Sequence, residues 1–203
     1  MNNIMLDIET TANSNTAAVI QIAMIRFDWN GNIGDSLVLR LNLDEQLKVG
    51  LDANSSTLAW WANTNPQLFN SLLTENVESV KTALSKFCKF VTFEDHIWCH
   101  ASFDLPIVNN LLHKFGFKTP WSYMKHRDIR TLVDLSGINL ADYNWAKEKT
   151  HDALDDCRFQ IKYCCDAYNK IKSLNTTTLT EEKVKEISKI PLTDEEIRKM
   201  YVL

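Results

Sequence analysis

Five polar side chains stand out by type and spacing in this chain of 203 residues: Asp7 and Glu9 in IMLDIET, Asp104 in WCHASFDLPIVNNLL, and His151 with Asp156 in THDALDDCRFQ. Four carboxylates and one imidazole can hold two hard divalent cations and take up one proton, the equipment for metal-assisted cleavage of a phosphodiester. Each block also has a plainer reading. A lone D-x-E can simply face solvent at a strand end, and Asp104 alone is an ordinary first-turn aspartate. Asp152, Asp155 and Asp156 suit the positive end of a helix dipole.

The elements around these residues decide whether they can meet. NIMLDIET reads as a buried strand that ends at the acidic pair. Residues two apart on a strand share a face, so Asp7 and Glu9 stand side by side, about 6.5–7 Å apart at the backbone. Two like charges that close call for a cation. AAVIQIAMIRFDW and NIGDSLVLRLNL flank an Asn30-Gly31 turn, so a hairpin follows and three antiparallel strands open the fold. STLAWWANTNPQ reads as a loop, and NVESVKTALSKFCKFV as a helix with Val77, Val80, Leu84, Phe87 and Cys88 at helical spacing. HIWCHA is a short buried strand that delivers Asp104 to the helix LPIVNNLLHKFGF, with Pro106 in its first turn and Gly116 at its stop.

DIRTLVDLSG reads as a strand or a passage from strand to helix, and a long amphipathic helix runs from Asp152 to about Lys172. Leu154, Cys157, Ile161, Cys164 and Tyr168 form its apolar stripe, and Asp156 flanks that stripe. On one continuous helix His151 and Asp156 would point about 140° apart. They converge only if His151 lies at or before the helix start. The polar tail from Ser173 onward, with Pro191 between two helical pieces and a capping box at Thr193-x-x-Glu196, reads as a peripheral helical appendage. The expected division is a domain over 1–172 and an appendage over 173–203.

Composition excludes some classes. With 22 Lys and Arg against 26 Asp and Glu, the net charge of -4 does not suit a protein that coats nucleic acid, although it allows an enzyme that grips a few nucleotides. Lys114, Lys118, Lys125, Arg127 and Arg130 cluster with only Asp128 opposing them, either as a phosphate-facing patch or as a solvated loop. Cys88, Cys99, Cys157, Cys164 and Cys165 form no CxxC pair, so reduced thiols are expected and a zinc site is not. No leader-like segment and no apolar run near 18 residues is present, which gives the expectation of a soluble, cytoplasmic protein without a membrane partner.

Taken in order, the strand-borne D-x-E, the FD after a strand and the H-x4-D at a late helix resemble the three exonuclease motifs of the DEDDh group of DnaQ-like 3'-5' exonucleases. The resemblance covers most of residues 1–172. STLAWWANTNPQ and PWSYMKHRDIRTL are further similar to segments of the branch that holds phage DexA-like exonucleases and bacterial 3'-5' exoribonucleases. The resemblance implies an α/β, ribonuclease H-like mixed sheet of about five strands, three antiparallel and then parallel, flanked by helices. It also implies release of nucleoside 5'-monophosphates from a 3'-end with two Mg²⁺ or Mn²⁺ ions. Asp7 would bridge both metals, Glu9 and Asp156 would complete the nucleophile-side ion, Asp104 would hold the second ion partly through water, and His151 would be the general base.

The same resemblance assigns substrate contacts to Thr10, Trp61, Phe103 and Arg130. Thr10 matches a position whose backbone meets the terminal nucleotide. Trp60 and Trp61, on an extended segment, would face opposite ways, one toward substrate or both in the core. Phe103 is either a stacking platform or a core residue. Asp128 and Arg130 would share a strand face, with Arg130 on a phosphate or in an ion pair with a neighbouring acid. Single-stranded or 3'-overhang nucleic acid is the expected partner, and a homodimer an expected assembly. RNA and DNA stay undivided, since nothing in the sequence places a donor or acceptor at a 2'-hydroxyl. Two other readings compete: a catalytically weak nucleic-acid-binding module of the same fold, and an interaction protein whose acids only solubilise the surface.

Overall fold

The structure, a computed structural model, describes residues 1–143 and 150–175. The chain divides into two compact units, Met1–Lys170 and Ile171–Leu203. The helical pieces expected around Pro191 and Thr193 lie outside the described residues.

Strands β1 (Asn3–Thr10), β2 (Val19–Phe27) and β3 (Ile33–Leu41) form an antiparallel meander. The turn between β2 and β3 closes where Asp28 Oδ1 accepts the N–H groups of Asn30 and Asn32 at 2.8 and 3.1 Å, and Gly31 takes φ +83°. That left-handed value is open to glycine at no steric cost. Strands β4 (Val77–Glu78), β5 (His96–Cys99) and β6 (His126–Asp128) add in parallel to β3, β1 and β5, giving a sheet of six strands in the order β4-β3-β2-β1-β5-β6. The sixth is the two-residue edge strand β4. Val77 therefore belongs to that strand and not to the following helix α4 (Val80–Phe90), which Ser79 caps from Thr82 N–H.

The described helices are α1 (Leu43–Lys48), α2 (Ser55–Thr64), α3 (Pro66–Thr74), α4, α5 (Asp104–Lys114), α6 (Ile129–Ser136) and α7 (Ala153–Asn175). STLAWWANTNPQ is not a loop: Asn54 caps α2, Asn65 caps α3 and Pro66 opens it. Asparagine and proline there begin helices, a use that composition does not separate from a turn. DIRTLVDLSG is the strand-to-helix passage, with Asp128 closing β6 and capping α6.

Both faces of the sheet are covered. Ile4, Leu6 and Ile8 of β1 join the core built with α4 and α5, while Met5 joins Cys157, Ile161 and Cys164 of α7 and Val133 of α6. The alternation of β1 thus turns Asp7 and Glu9 toward the α7 side. Burial on both faces also explains why β2 is apolar almost throughout and why β1 is apolar from Ile4 to Leu6, before the acidic pair.

Candidate active site

The carboxyl ends of the parallel neighbours β1 and β5 lie next to each other, where the strand order passes from the meander to the later strands and a crevice is expected. A cavity of about 530 Å³ opens there and is lined by Asp7, Glu9, Asp104, His151 and Asp156. All five residues singled out by spacing are brought together.

Asp7 is 8% exposed and its Oδ1 accepts from Nε2 of Gln160 at 2.7 Å. Gln160 stands one helical turn after Asp156 on α7, so one helix supplies both an acid and the amide that orients another. Asp104 opens α5 at 2% exposure, and its Oδ2 accepts the N–H of His100 at 2.8 Å. Burial and the nearby Asp7 carboxylate push the Asp104 carboxyl well above the usual carboxylate range, against that hydrogen bond. His151 precedes α7 and has φ +59°, so its ring leaves the helical path. One ligand atom each from Glu9, His151 and Asp156 lies within 4.8 Å of the others.

The raised carboxyl has a consequence in the metal-free protein. A carboxyl held above its ordinary range opposes folding at every pH above that ordinary range, and the opposition shrinks as pH falls and is gone below the ordinary carboxyl pKa, where Asp104 is protonated in both states. Asp104→Asn keeps the acceptor for His100 N–H and removes the charge. It is expected to raise the melting temperature in EDTA by roughly 2–4 °C, the effect of about 1 kcal/mol in a domain of this size. A lower melting temperature in calorimetry would contradict the electrostatic reading.

The residues assigned to substrate fare differently. Trp61 is 1% exposed and donates its indole N–H to the Thr10 carbonyl at 3.0 Å, so it forms a wall of the cavity. Trp60 is 41% exposed in the same cavity, edge-on to His151 with ring centroids 4.7 Å apart. On a helix neighbours diverge by about 100°, and this places one tryptophan in and one out without the extended backbone first expected. Thr10 also uses its hydroxyl inside the protein, donating to the Ala12 carbonyl at 2.8 Å. Phe103 lines the cavity and packs partly on the main core, combining both readings.

Arg130 is not among the residues lining this cavity. It sits in the first turn of α6, not on a strand face, and pairs with the Asp128 carboxylate while donating to Ser102 Oγ at 2.8 Å. Asp128 also accepts Ala101 N–H at 3.1 Å, so the pair braces the turn that presents Asp104. Three other members of the basic cluster have partners within the protein: Lys125 pairs with Glu94 at 3.5 Å, Arg127 donates to the Met124 and His126 carbonyls, and Lys114 donates to the Val49 carbonyl at 3.4 Å. His100, Gln160 and Gln21 were not singled out from sequence, and of the two tryptophans the substrate contact was assigned to Trp61, whereas Trp60 is the one exposed in the cavity. For Trp60 a helical reading of AWW was the available signal, while the two glutamines act only through distant contacts.

The buried thiols of Cys99 and Cys157 near these acids are pushed up by burial first and by the acids second, so they are neutral packing groups. No described helix is long and apolar enough to cross a membrane.

Comparison with known proteins shows what the chain is similar to. The chain is 25% identical over 197 residues to an exodeoxyribonuclease of Enterobacteria phage T4, covering 79% of this chain and 86% of the relative. Its fold is similar to that of E. coli exonuclease I in complex with a dA16 oligonucleotide, with a TM-score of 0.63 at 16% identity over 91% of this chain. The chain spans only 45% of the length of exonuclease I. S. pombe Pop2p, in its Mg²⁺- and Mn²⁺-bound form, shares the fold with a TM-score of 0.54 at 11% identity, covering 81% of this chain and 82% of that one. The sequence family described as the 3'-5' exoribonuclease Rv2179c-like domain matches residues 2–167. By that match over most of its length the chain belongs to that family, within the DEDDh exonuclease superfamily, and is a nuclease of the exonuclease kind.

Proposed function

We propose that this protein removes nucleotides one at a time from the 3'-end of single-stranded nucleic acid, releasing nucleoside 5'-monophosphates, with two divalent cations and His151 as general base. The observation that carries the reading is the convergence of Glu9, His151 and Asp156 within 4.8 Å in the cavity that also holds Asp7 and Asp104.

The residues fit a pair of hard cations. Asp104 and Asp7 are both buried, with carboxylates that disfavour each other's charge, a cost that a bound cation would offset. Oxygen donors predominate, which suits Mg²⁺ or Mn²⁺, and Asp7, Glu9, Asp104 and Asp156 would hold them. When bound, two such ions supply Lewis acidity that activates water and stabilises the leaving 3'-oxygen.

The protein's own groups do the rest. His151 takes the proton from the attacking water, a task suited to an imidazole, whose ring nitrogen can accept a proton. Gln160 fixes the direction in which Asp7 presents its oxygens. Trp60 restrains the His151 ring and, with Phe103, offers an aromatic surface for the terminal base. The family description names exoribonucleases and the phage relative is an exodeoxyribonuclease, so matched RNA and DNA strands are the comparison that sets sugar preference.

Metal binding is tested without any substrate. At 100 times its dissociation constant a ligand stabilises the folded state by about 2.7 kcal/mol, so Mg²⁺ or Mn²⁺ is expected to raise the melting temperature by roughly 5–10 °C over EDTA. An unchanged melting temperature at millimolar metal would favour a protein whose acids only solubilise its surface.

A further inference from the structure

Gln21, the third residue of β2, is 1% exposed and stands opposite Glu9 in the β1–β2 register. Both ends of its amide reach the start of α7. Its Oε1 accepts the N–H of Ala153 at 2.9 Å, and its Nε2 donates to Asp152 Oδ2 at 3.0 Å. The other oxygen of Asp152 caps the helix, accepting the N–H groups of Leu154 and Asp155 at 3.0 and 3.4 Å. Gln21 therefore grips the cap and the first helical residue together.

His151 is the residue immediately before that grip, at φ +59°. A left-handed conformation is rare for a residue with a side chain, and it persists only where the surroundings over-determine it. If the backbone at His151 relaxed to helical values, α7 would extend backwards and swing the imidazole away from Asp156 by about 140°. Contacts that oppose this include the edge-on ring of Trp60 on one side and the hydrogen bonds of Gln21 on the other. Because Gln21 and Glu9 are register partners, the same rung of the sheet sets the place of Glu9 and of the helix start.

We propose that Gln21 is a positioning residue that holds His151 in its left-handed conformation beside Glu9 and Asp156, and so acts on the reaction only through His151. The proposal rests on the reading of His151 as general base.

A buried amide can also serve stability alone, and a double-mutant cycle separates the two roles. Single-turnover cleavage at a 3'-end is measured with saturating Mg²⁺ for the wild type, Gln21→Leu, His151→Ala and the double variant. Gln21→Leu is expected to slow the wild type about tenfold or more and the His151→Ala enzyme less than twofold, with the Mg²⁺-induced rise in melting temperature retained. A second pair covers the case in which Gln21→Leu does not fold. Gln21→Glu sets a carboxylate against Asp152 and should slow the reaction similarly. Adding Asp152→Asn exchanges donor and acceptor and should restore the rate to within about threefold. Equal losses in both His151 backgrounds, or no loss on changing Gln21, would overturn the proposal and leave the role of His151 standing. Full activity of His151→Ala would overturn both.

Discussion

Asp7→Asn is expected to lower the rate of nucleotide release from a 3'-end by about 10³-fold or more, a loss of roughly 4 kcal/mol in transition-state stabilisation. The substitution is nearly isosteric, and the new amide oxygen can still accept from Gln160, so the local packing has no reason to change. What disappears is one negative charge at the centre of the carboxylate group, on the strand that lies between β2 and β5. Because Asp7 opposes ionisation of Asp104, the metal-free variant should be no less stable than the wild type. The check is steady-state kinetics on an end-labelled strand together with a melting curve in EDTA. Activity within tenfold of wild type would remove Asp7 from the metal-holding set.

His151→Ala is the second large effect, with a loss of turnover of about 10²–10⁴-fold, the usual contribution of a positioned acid or base. The geometry makes the role of His151 separable from that of the acids. Its ligand atom lies in the same 4.8 Å group as those of Glu9 and Asp156, so it is close enough to serve as a base or as a ligand. A base predicts that the Mg²⁺-induced rise in melting temperature survives the substitution while turnover collapses. A ligand predicts that the two fall together. Titrating metal against melting temperature in the variant decides between them.

The parts of this site that were legible in the sequence are those carried by local periodicity. Asp7 and Glu9 share a face because they are two apart on a strand, and the position of His151 before α7 follows from its distance to Asp156. The hairpin was announced by Asn30-Gly31, and the start of α5 by Pro106. Misreadings arose where one residue type serves two purposes. Asn54, Asn65 and Pro66 look like loop residues and are helix starts, and Val77 fits a helical repeat but completes an edge strand. Arg130 was placed on a strand because the backbone changes from strand to helix within the segment that carries it. Gln21 and Gln160 were out of reach for a different reason. Their partners Asp152 and Asp7 are 131 and 153 residues away, and only the folded sheet and α7 bring them together.

The central claim is most directly tested by incubating matched RNA and DNA single strands, labelled at the 5'-end, with the purified protein in Mg²⁺ and in EDTA. The expected result is stepwise shortening from the 3'-end in Mg²⁺ with nucleoside 5'-monophosphates as products, and full-length strands in EDTA. Intact strands of both kinds in Mg²⁺ and in Mn²⁺, or shortening that EDTA does not stop, would contradict it.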